Sequence, residues 1–211
     1  MNRKGILIVV SGFSGSGKGT LMKELLSRYA DTYALSISAT TRSPREGEEH
    51  GREYFFITKD EFEKMIAKGE LIEYARYVEN YYGTPREYVE KMLDEGRDVI
   101  LEIEIQGALK VKKAFPHTLL LFVTPPDATE LKNRLVGRGT ETLDVIKSRL
   151  DRACEEAEGM DSYDYLIVND DLNECVEKMH TIIQGDSHRS FRNKAFMKEI
   201  KEDLQRLKGE D

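Results

Sequence analysis

A glycine-rich segment near the N-terminus carries the residues whose chemistry is easiest to interpret. Its members are Gly12, Phe13, Ser14, Gly15, Ser16, Gly17, Lys18, Gly19 and Thr20. The segment follows the apolar run Ile6 to Val10 and opens a helical pattern, which is the context of a phosphate-binding loop. The glycines let backbone N–H groups point inward, the helix start adds the positive end of its dipole, and Lys18 brings a mobile charge. The segment therefore predicts a nucleotide phosphate site and leaves the phosphate acceptor open.

One position departs from the strict loop pattern, which has a hydroxyl residue directly after the lysine to hold Mg²⁺. Gly19 occupies that position, and Thr20 follows it. The sequence shows no cluster of metal ligands, so we expect Mg²⁺ to arrive with the nucleotide, with Thr20 as a candidate ligand. The simpler interpretation, an ordinary glycine-rich turn, is disfavoured by Lys18 and by the strand and helix on either side.

Short apolar runs rich in β-branched residues alternate with helical patterns along the chain. The predicted strands are Ile6 to Val10, Leu35 to Ile37, Val99 to Ile103, Leu119 to Val123 and Tyr165 to Val168. The predicted helices are Lys18 to Tyr29, Asp60 to Lys68, Arg86 to Glu95, Gly107 to Ala114, Thr129 to Val136, Leu143 to Glu158 and Leu172 to Ile183. This alternation predicts an α/β fold whose parallel strands are buried on both faces. A charged amphipathic helix is expected over Ser187 to Asp211, with its apolar residues at Phe191, Ala195, Ile200, Leu204 and Leu207.

The composition is that of an ordinary globular protein. Of 211 residues, 39% are hydrophobic and 34% are charged, and the net charge of -7 argues against a general nucleic-acid binder. The first apolar run is too short for a signal peptide. Cys154 and Cys175 form no CxxC pair, so we expect buried thiols in a reducing compartment. We therefore expect a cytoplasmic protein that binds neither nucleic acid nor membrane, of undetermined oligomeric state.

Several further motifs occur in a fixed order along the chain. They are Ser38-Ala-Thr-Thr-Arg42-Ser-Pro-Arg45-Glu-Gly-Glu, Tyr54, Leu71-Ile-Glu73-Tyr, Asn80-Tyr-Tyr82-Gly-Thr84, Glu102-Ile-Glu104-Ile-Gln-Gly107, Gly137-Arg138-Gly-Thr-Glu and Val168-Asn169-Asp-Asp. Together with the loop form GKGT, this set resembles the guanylate kinase family in order and spacing. The resemblance covers roughly Gly5 to Ile183 and implies reversible phosphoryl transfer from ATP to GMP and dGMP, with Mg²⁺ accompanying ATP.

The resemblance also implies a three-part architecture. A P-loop core of three α/β/α layers around a five-stranded parallel sheet would comprise residues 1–37, 98–125 and 153–211. A mixed α/β insertion at 38–97 would bind GMP, and a helical lid at 126–152 would close over ATP. The implied catalytic residues are Lys18, Arg42, Arg138 and Arg149. The implied ATP-binding residues are those of the loop from Gly12 to Thr20, together with Arg138 and Asn169.

The residues assigned to GMP make physical sense in that role. Arg42 and Arg45 supply planar forks that hold a dianionic phosphate, and Tyr54 and Tyr82 can add neutral donors. The alternative for the arginines is a solvated basic turn.

Guanine presents N1–H and an amine as donors, so its pocket needs a carboxylate with a hydroxyl nearby. The resemblance assigns these contacts to Ser38, Glu73 and Thr84. The resemblance also assigns Glu104 to the GMP site. Glu104 stands where the family has Asp, and Thr84 stands where Ser is common. Taken alone, Glu73 on a strand-like segment would instead be a solvent-facing charge.

Lid arginines would bring positive charge to the transferring group. Arg138 and Arg149 match these positions, Arg134 and Arg152 are additional candidates, and Asn169 resembles a contact to the ATP base or ribose. The alternative is that the arginines solvate a helix face or pair with nearby carboxylates.

Two other classes of protein share features with this sequence. A P-loop GTPase is suggested by Glu104 to Gly107, which imitates DxxG, and by Asn193-Lys194, which imitates half of NKxD. Neither motif is complete. A guanylate-kinase-like interaction module without catalysis is the second alternative, but such modules typically lose parts of the nucleotide machinery. Here the basic set is complete: Lys18, Arg42, Arg45, Arg138 and Arg149.

Overall fold

The computed structural model describes residues 3–77, 79–137 and 142–209. The strands are β1 (Leu7–Gly12), β2 (Tyr33–Leu35), β3 (Ala39–Thr40), β4 (Phe55–Phe56), β5 (Leu71–Tyr77), β6 (Asn80–Pro85), β7 (Asp98–Glu102), β8 (Leu119–Thr124) and β9 (Tyr165–Val168). The helices are α1 (Lys18–Arg28), α2 (Lys59–Lys68), α3 (Arg86–Asp94), α4 (Ile105–Ala114), α5 (Ala128–Val136), α6 (Leu143–Ala157), α7 (Leu172–Ser187) and α8 (Lys194–Lys208). Short 3₁₀ helices lie at Met160–Ser162 and Ser190–Arg192.

The larger sheet has five strands in the order β2-β7-β1-β8-β9, and every neighbouring pair is parallel. This confirms the predicted α/β fold with a five-stranded parallel sheet. Because parallel strands end at the same edge of a sheet, the ends of β1, β7, β8 and β9 lie side by side. The register places Val10 opposite Glu102 and Gly12 opposite Val123. The loop after β1 therefore starts between the ends of its two neighbours.

Apolar layers on both faces of this sheet form the core. Ile8 and Val10 pack with α1 and α7 on one face, whereas Leu7 and Val9 pack with α3 and α4 on the other. The alternation follows from the strand, in which successive side chains point to opposite faces. Each such buried aliphatic side chain contributes roughly 1.5–3 kcal/mol. These contacts confirm a three-layer α/β/α core and hold the sheet edge rigid.

A smaller sheet of mixed direction, in the order β4-β3-β6-β5, is formed by the segment between β2 and β7. Its core centres on Phe62 of α2, whose ring stacks on Tyr81 at 5.2 Å. Helix α2 begins at a capping box in which Thr58 accepts from the Glu61 N–H, and the Glu61 carboxylate accepts in return from the Thr58 N–H. The hairpin of β5 and β6 then carries polar side chains toward the edge of the larger sheet.

Two strand predictions are corrected by the structure. The second strand is Tyr33–Leu35 rather than Leu35 to Ile37, because Tyr33 is the residue buried against α7. Strand β9 was expected to be buried on both faces, but Leu166 and Val168 are exposed and Ile167 is buried. Edge strand β9 is covered by α7 on only one face. The ends of the other predicted helices and strands differ from prediction by at most two residues, except at α7 and α8.

The expected single helix from Ser187 onward is also corrected. Helix α7 continues to Ser187, and α8 begins only at Lys194 after a 3₁₀ turn. The buried carboxylate of Asp186 explains this break, since it accepts a hydrogen bond from Arg192 Nε at 2.7 Å and pairs with Arg189. Residues 189–192 therefore fold back against the end of α7 before α8 starts.

The cysteines differ from each other in burial. Cys175 is buried in α7 as expected, but Cys154 is exposed on α6, so the prediction was wrong for Cys154. Its neighbour Ala153 is the residue that faces the core. Across the described ranges, no helix combines the length and the apolar character needed to cross a bilayer.

Candidate nucleotide site

The loop between β1 and α1 depends on glycine for its shape. Gly17 has φ 87°, and a Cβ there would lie 2.4 Å from Asn169 Nδ2. Gly12 has a Cβ position only 2.1 Å from the carbonyl oxygen of Val123. Lys18 Nζ donates to the carbonyl oxygens of Gly12 and Phe13 at 2.5 and 3.1 Å, so the loop wraps around the lysine head. This geometry is that of a phosphate-binding loop closed on its own lysine.

Side chains from distant parts of the chain hold this loop in place. Asn169 Nδ2 donates to the Ser16 carbonyl at 2.8 Å. Arg134 Nη2 donates to the Asn169 carbonyl at 3.0 Å, and Arg134 Nε pairs with Glu130 at 2.7 Å. Asn169 is buried, and its amide contacts the loop. The structure therefore brings Asn169 and Arg134 to the loop backbone.

A first cavity of about 730 Å³ opens beside the loop. It is lined by Ser14 and Lys18 of the loop, by Glu102 at the end of β7, and by Arg149 and Arg152 of α6. Arg149 Nη1 donates to Ser14 Oγ at 3.2 Å. Helix α6 thus places an arginine directly on the loop, in a space large enough for a nucleotide. Arg138 lies outside the described residues.

Glu102 belongs to one of the sequence motifs, but the sequence does not identify it as a site residue. Glu102 is exposed to solvent and lines the first cavity. Partial desolvation of its carboxyl group raises its pKa, while Lys18 opposes the rise. The signal that could have identified it is a carboxylate at the carboxyl end of a buried parallel strand, where α/β proteins bind ligands.

A second cavity, of about 290 Å³, lies between the two sheets. It brings together five of the predicted site residues: Ser38, Tyr54, Glu73, Tyr82 and Glu104. Glu102 and Glu104 line both cavities. The two cavities therefore meet at the segment that joins β7 to α4.

Glu73 is the buried acid of this second cavity. Its exposed fraction is 8%, and its Oε1 accepts a hydrogen bond from the Thr84 hydroxyl at 2.8 Å. Burial raises the pKa of Glu73, while the Thr84 hydrogen bond and Lys110 oppose the rise. The interpretation of Glu73 as a solvent-facing charge is wrong, because the cavity floor rather than bulk water surrounds it.

The two predicted phosphate arginines differ in their surroundings. The Arg42 guanidinium lies 5.4 Å from the Tyr54 ring centroid and donates to Glu48 at 3.0 Å. The Arg45 N–H donates to the same carboxylate at 2.8 Å, and its own side chain is exposed. These hydrogen bonds, led by the Arg45 N–H, lower the pKa of Glu48. Glu48 therefore shapes the turn and aims Arg42 toward the tyrosines of the second cavity.

Glu104 makes an ion pair across the boundary between the cavities. Its Oε2 lies 2.6 Å from Arg152 Nη2, and Arg152 Nε lies 3.3 Å from Glu156. Glu104 immediately precedes α4, and Arg152 belongs to α6. The carboxylate expected to contact GMP thus also joins the second cavity to the helix that carries Arg149.

Thr20 lies exposed in the first turn of α1, beside Lys18. Gly19 has open space around the position of a Cβ, with no atom within 4 Å. Within the described ranges, no group of three or more His, Cys, Asp or Glu side chains could hold a metal ion.

Comparison with known proteins finds the same family by sequence and by structure. Residues 4–186 match the family model described as Guanylate kinase. A guanylate kinase of Bacillus anthracis is 53% identical over 203 residues, covering 96% of this chain and 99% of that relative. One of Bacillus subtilis (strain 168) is 53% identical over 186 residues, 88% of this chain and 91% of the relative. The crystal structure of guanylate kinase from Anaplasma phagocytophilum matches with a TM-score of 0.72 and 30% identity, covering 91% of this chain and 90% of that one.

Proposed function

We propose that this chain, which belongs to the guanylate kinase family, transfers the γ-phosphoryl group of ATP to GMP or dGMP, reversibly and in the cytoplasm. The observation that carries the proposal is the meeting of two cavities at Glu102 and Glu104, one beside the phosphate loop and one above buried Glu73. Phosphoryl transfer between two nucleotides requires this adjacency, since both polyanions must lie in line with the reacting phosphorus between them.

The first cavity would hold ATP. Backbone N–H groups of the loop would bind the phosphates, and Lys18 would exchange its contacts with the Gly12 and Phe13 carbonyls for the terminal phosphates. Arg149 already reaches the loop at Ser14 and would stabilise charge on the transferring group. Asn169 would serve the ATP site through its hydrogen bond to Ser16.

The second cavity would hold GMP. Glu73 would accept hydrogen bonds from the guanine N1–H and amine, with Thr84 holding its carboxylate and Ser38 lining the same space. Adenine presents a lone pair at N1, so AMP would leave the buried carboxylate facing an acceptor. Such a mismatch disfavours AMP by several kcal/mol, on the order of the cost of burying an unsatisfied charged group.

Arg42 with Tyr54 and Tyr82 would hold the GMP phosphate, and exposed Arg45 would join when the insertion closes. In the transfer step, a GMP phosphate oxygen attacks the γ-phosphorus, the bond from that phosphorus to the β–γ bridging oxygen breaks, and ADP leaves. Lys18, Arg42 and Arg149 neutralise the charge of both nucleotides, so no covalent enzyme intermediate is required.

We propose the domain division 1–37, 98–125 and 153–211 for the core, 38–97 for the GMP-binding insertion and 126–152 for the lid. The separate core around Phe62 supports the insertion as a unit that can move as a body. Closure would bring Arg45 and the lid arginines, including Arg138, to the phosphates and exclude water. Small-angle scattering should show compaction when a bisubstrate dinucleotide is added.

The family's phosphoryl transfer from ATP generally depends on Mg²⁺, which neutralises phosphate charge when it is bound. The residues present fit such a group, because Thr20 offers a hydroxyl and Glu102 a carboxylate, and both are oxygen donors of the kind Mg²⁺ prefers. Gly19 contributes no side chain. We propose that Thr20 and Glu102, directly or through water, hold the ion that accompanies ATP.

A coupled assay with ATP, Mg²⁺ and either GMP, dGMP, AMP, UMP or CMP tests the proposal. We expect ADP formation with GMP and dGMP and at least about a hundredfold lower kcat/KM with AMP. Turnover of AMP or of a pyrimidine nucleotide at the GMP rate would contradict the specificity. Calorimetric GMP binding without any turnover would instead support the interaction module.

A further inference from the structure

Helix α8 exposes a stripe of large apolar side chains. Phe196, Ile200, Leu204 and Leu207 are 55%, 44%, 60% and 63% exposed. All of the residues Lys194–Lys208 are described, and none of them is buried. Soluble chains tolerate single exposed apolar residues, but a contiguous stripe at helical spacing marks an interaction surface.

The base of α8 is attached firmly to the core. Asn193 Nδ2 donates to the carbonyl oxygens of Ser187 and Arg189 at 2.9 and 3.0 Å. Phe191 stacks on His117 with ring centroids 4.4 Å apart, and Arg192 Nη2 donates to the His117 carbonyl at 2.7 Å. The residues that directly precede α8 are therefore anchored, and they set the direction in which the stripe leaves the core.

The apolar positions fit a heptad pattern. Met197 and Leu204 occupy positions a, and Ile200 and Leu207 occupy positions d. At 100° per residue, the two edges of the stripe carry opposite charge. The basic edge, at positions e, consists of Lys194, Lys201 and Lys208. The other edge is net acidic, with Asp203 at position g, Glu199 at position c, and Arg206 at position c paired with Asp203.

We propose that α8 pairs with α8 of a second copy as a parallel two-stranded coiled coil. In a parallel pair, position g of one helix meets position e of the next heptad in the other, which brings Asp203 to the partner subunit's Lys208. The same ion pair forms twice around the two-fold axis. An antiparallel pair would instead place the lysine edges of both helices against each other.

The charge pattern also argues against a lipid surface as the occupant. Helices that lie on anionic membranes carry basic residues at both edges of the apolar stripe. Asp203 and Glu199 would place negative charge against the headgroups on one side. A second copy is the occupant for which the acidic edge is favourable.

The association is expected to be weak. A helix of 15 residues spans only about 22 Å, so it offers two heptads and a small interface. In the single chain Asp203 pairs with Arg206 on its own helix, and this contact must be exchanged. We expect dimer dissociation constants on the order of ten to a hundred micromolar, which makes the dimer dependent on chain concentration.

Sedimentation velocity of the full chain between about 1 and 300 μM tests the proposal, with a rise from monomer to dimer as the expected result. Leu204→Glu should raise the dissociation constant at least about thirtyfold, because it places a charge in the seam. The matched control Glu202→Ala, on the opposite face of α8, should dimerise as the unmodified chain does. A chain that stays monomeric, or a dimer unaffected by Leu204→Glu, would overturn the proposal.

A charge exchange tests the orientation of the helices. Asp203→Lys should weaken the dimer, and Asp203→Lys combined with Lys208→Asp should restore it; lack of restoration would overturn the parallel geometry. Flotation with phosphatidylserine vesicles tests the alternative occupant, a lipid surface. Vesicle binding that Leu204→Glu abolishes, in a chain that does not dimerise, would assign the stripe to a membrane surface instead. Kinase turnover and circular dichroism of each variant verify that the fold is intact.

Discussion

The hydroxyl of Thr84 donates a 2.8 Å hydrogen bond to the carboxylate of Glu73, and both residues are buried. The bond joins neighbouring strands of the smaller sheet at the floor of the second cavity. It satisfies one carboxylate oxygen and fixes the plane in which the acid can accept hydrogen bonds from a base.

Replacing Thr84 by Val should weaken GMP binding while leaving the affinity for ATP unchanged. The substitution removes a hydrogen bond to a buried charge, which is worth about 1.5–3 kcal/mol, or roughly tenfold to a hundredfold in KM for GMP. Thr84→Ser keeps the hydroxyl and is the matched control. Equal KM values for GMP in the Val variant and the unmodified chain would remove Thr84 from the site.

Glu73 should make stability depend on pH in a defined direction. Burial raises its folded-state pKa above the unfolded value, so the folded chain holds this proton more tightly. The contribution of Glu73 to the free energy of unfolding therefore falls as pH rises from the unfolded pKa through the folded pKa. Above both pKa values, the folded state bears the full cost of burying the charge.

Glu73→Gln removes this titration. We expect its free energy of unfolding to exceed that of the unmodified chain at pH 8, with a difference that shrinks as pH falls toward 4. Urea unfolding at a series of pH values measures this, and Glu95→Gln at an exposed position is the control. The same variant should raise KM for GMP far more than KM for ATP; equal losses for both nucleotides would speak against the assignment.

Two glycines of the loop should differ in their tolerance of alanine. Gly17 has φ 87° and would drive a Cβ to 2.4 Å from the Asn169 amide, whereas a Cβ at Gly19 meets nothing within 4 Å. Gly17→Ala should lower ATP affinity at least about tenfold or prevent folding, because both backbone strain and the steric clash act there. Gly19→Ala should keep near-normal turnover. Thermal unfolding of both variants distinguishes loss of fold from loss of site, and equal tolerance would contradict this account of the loop.

Lys18 should act mainly on turnover. Lys18→Met keeps much of the side-chain volume and removes the charge that the loop wraps around, so kcat should fall at least about a hundredfold. Lys23→Met, at an exposed position of the same helix, is the matched control. Near-normal turnover of the Met variant on GMP would exclude Lys18 from the transfer step.

The thiols should react at different rates. Cys154 is exposed, whereas burial raises the pKa of Cys175 to about 11, which suppresses its thiolate at neutral pH. A colorimetric thiol reagent should therefore label one cysteine in the folded chain and both in denaturant. Cys154→Ser should abolish the folded-state signal. Rapid labelling of two thiols in the folded chain would contradict the burial of Cys175.

Local patterns in the sequence were sufficient for much of the fold. The loop from Gly12 to Thr20 could be identified because glycine positions and a following lysine encode a backbone conformation directly. Helices and strands followed from the period of apolar residues. Boundary errors arose where other contacts interrupted that period: Tyr33 is buried against distant α7, and Asp186 pairs with Arg189 and Arg192 just beyond the end of α7.

The site itself was decided by tertiary structure. Asn169 reaches Ser16 across 153 positions of the chain, and Arg152 reaches Glu104 across 48. The local periodicity of the sequence does not predict such pairs, because they depend on which strands become neighbours and on which helix face is covered. Local sequence alone was enough to predict a phosphate site at the loop after β1. Only the folded chain decided that Glu73 is buried, that β9 and Cys154 are exposed, and that the two cavities meet at Glu102, since burial and adjacency are properties of packing.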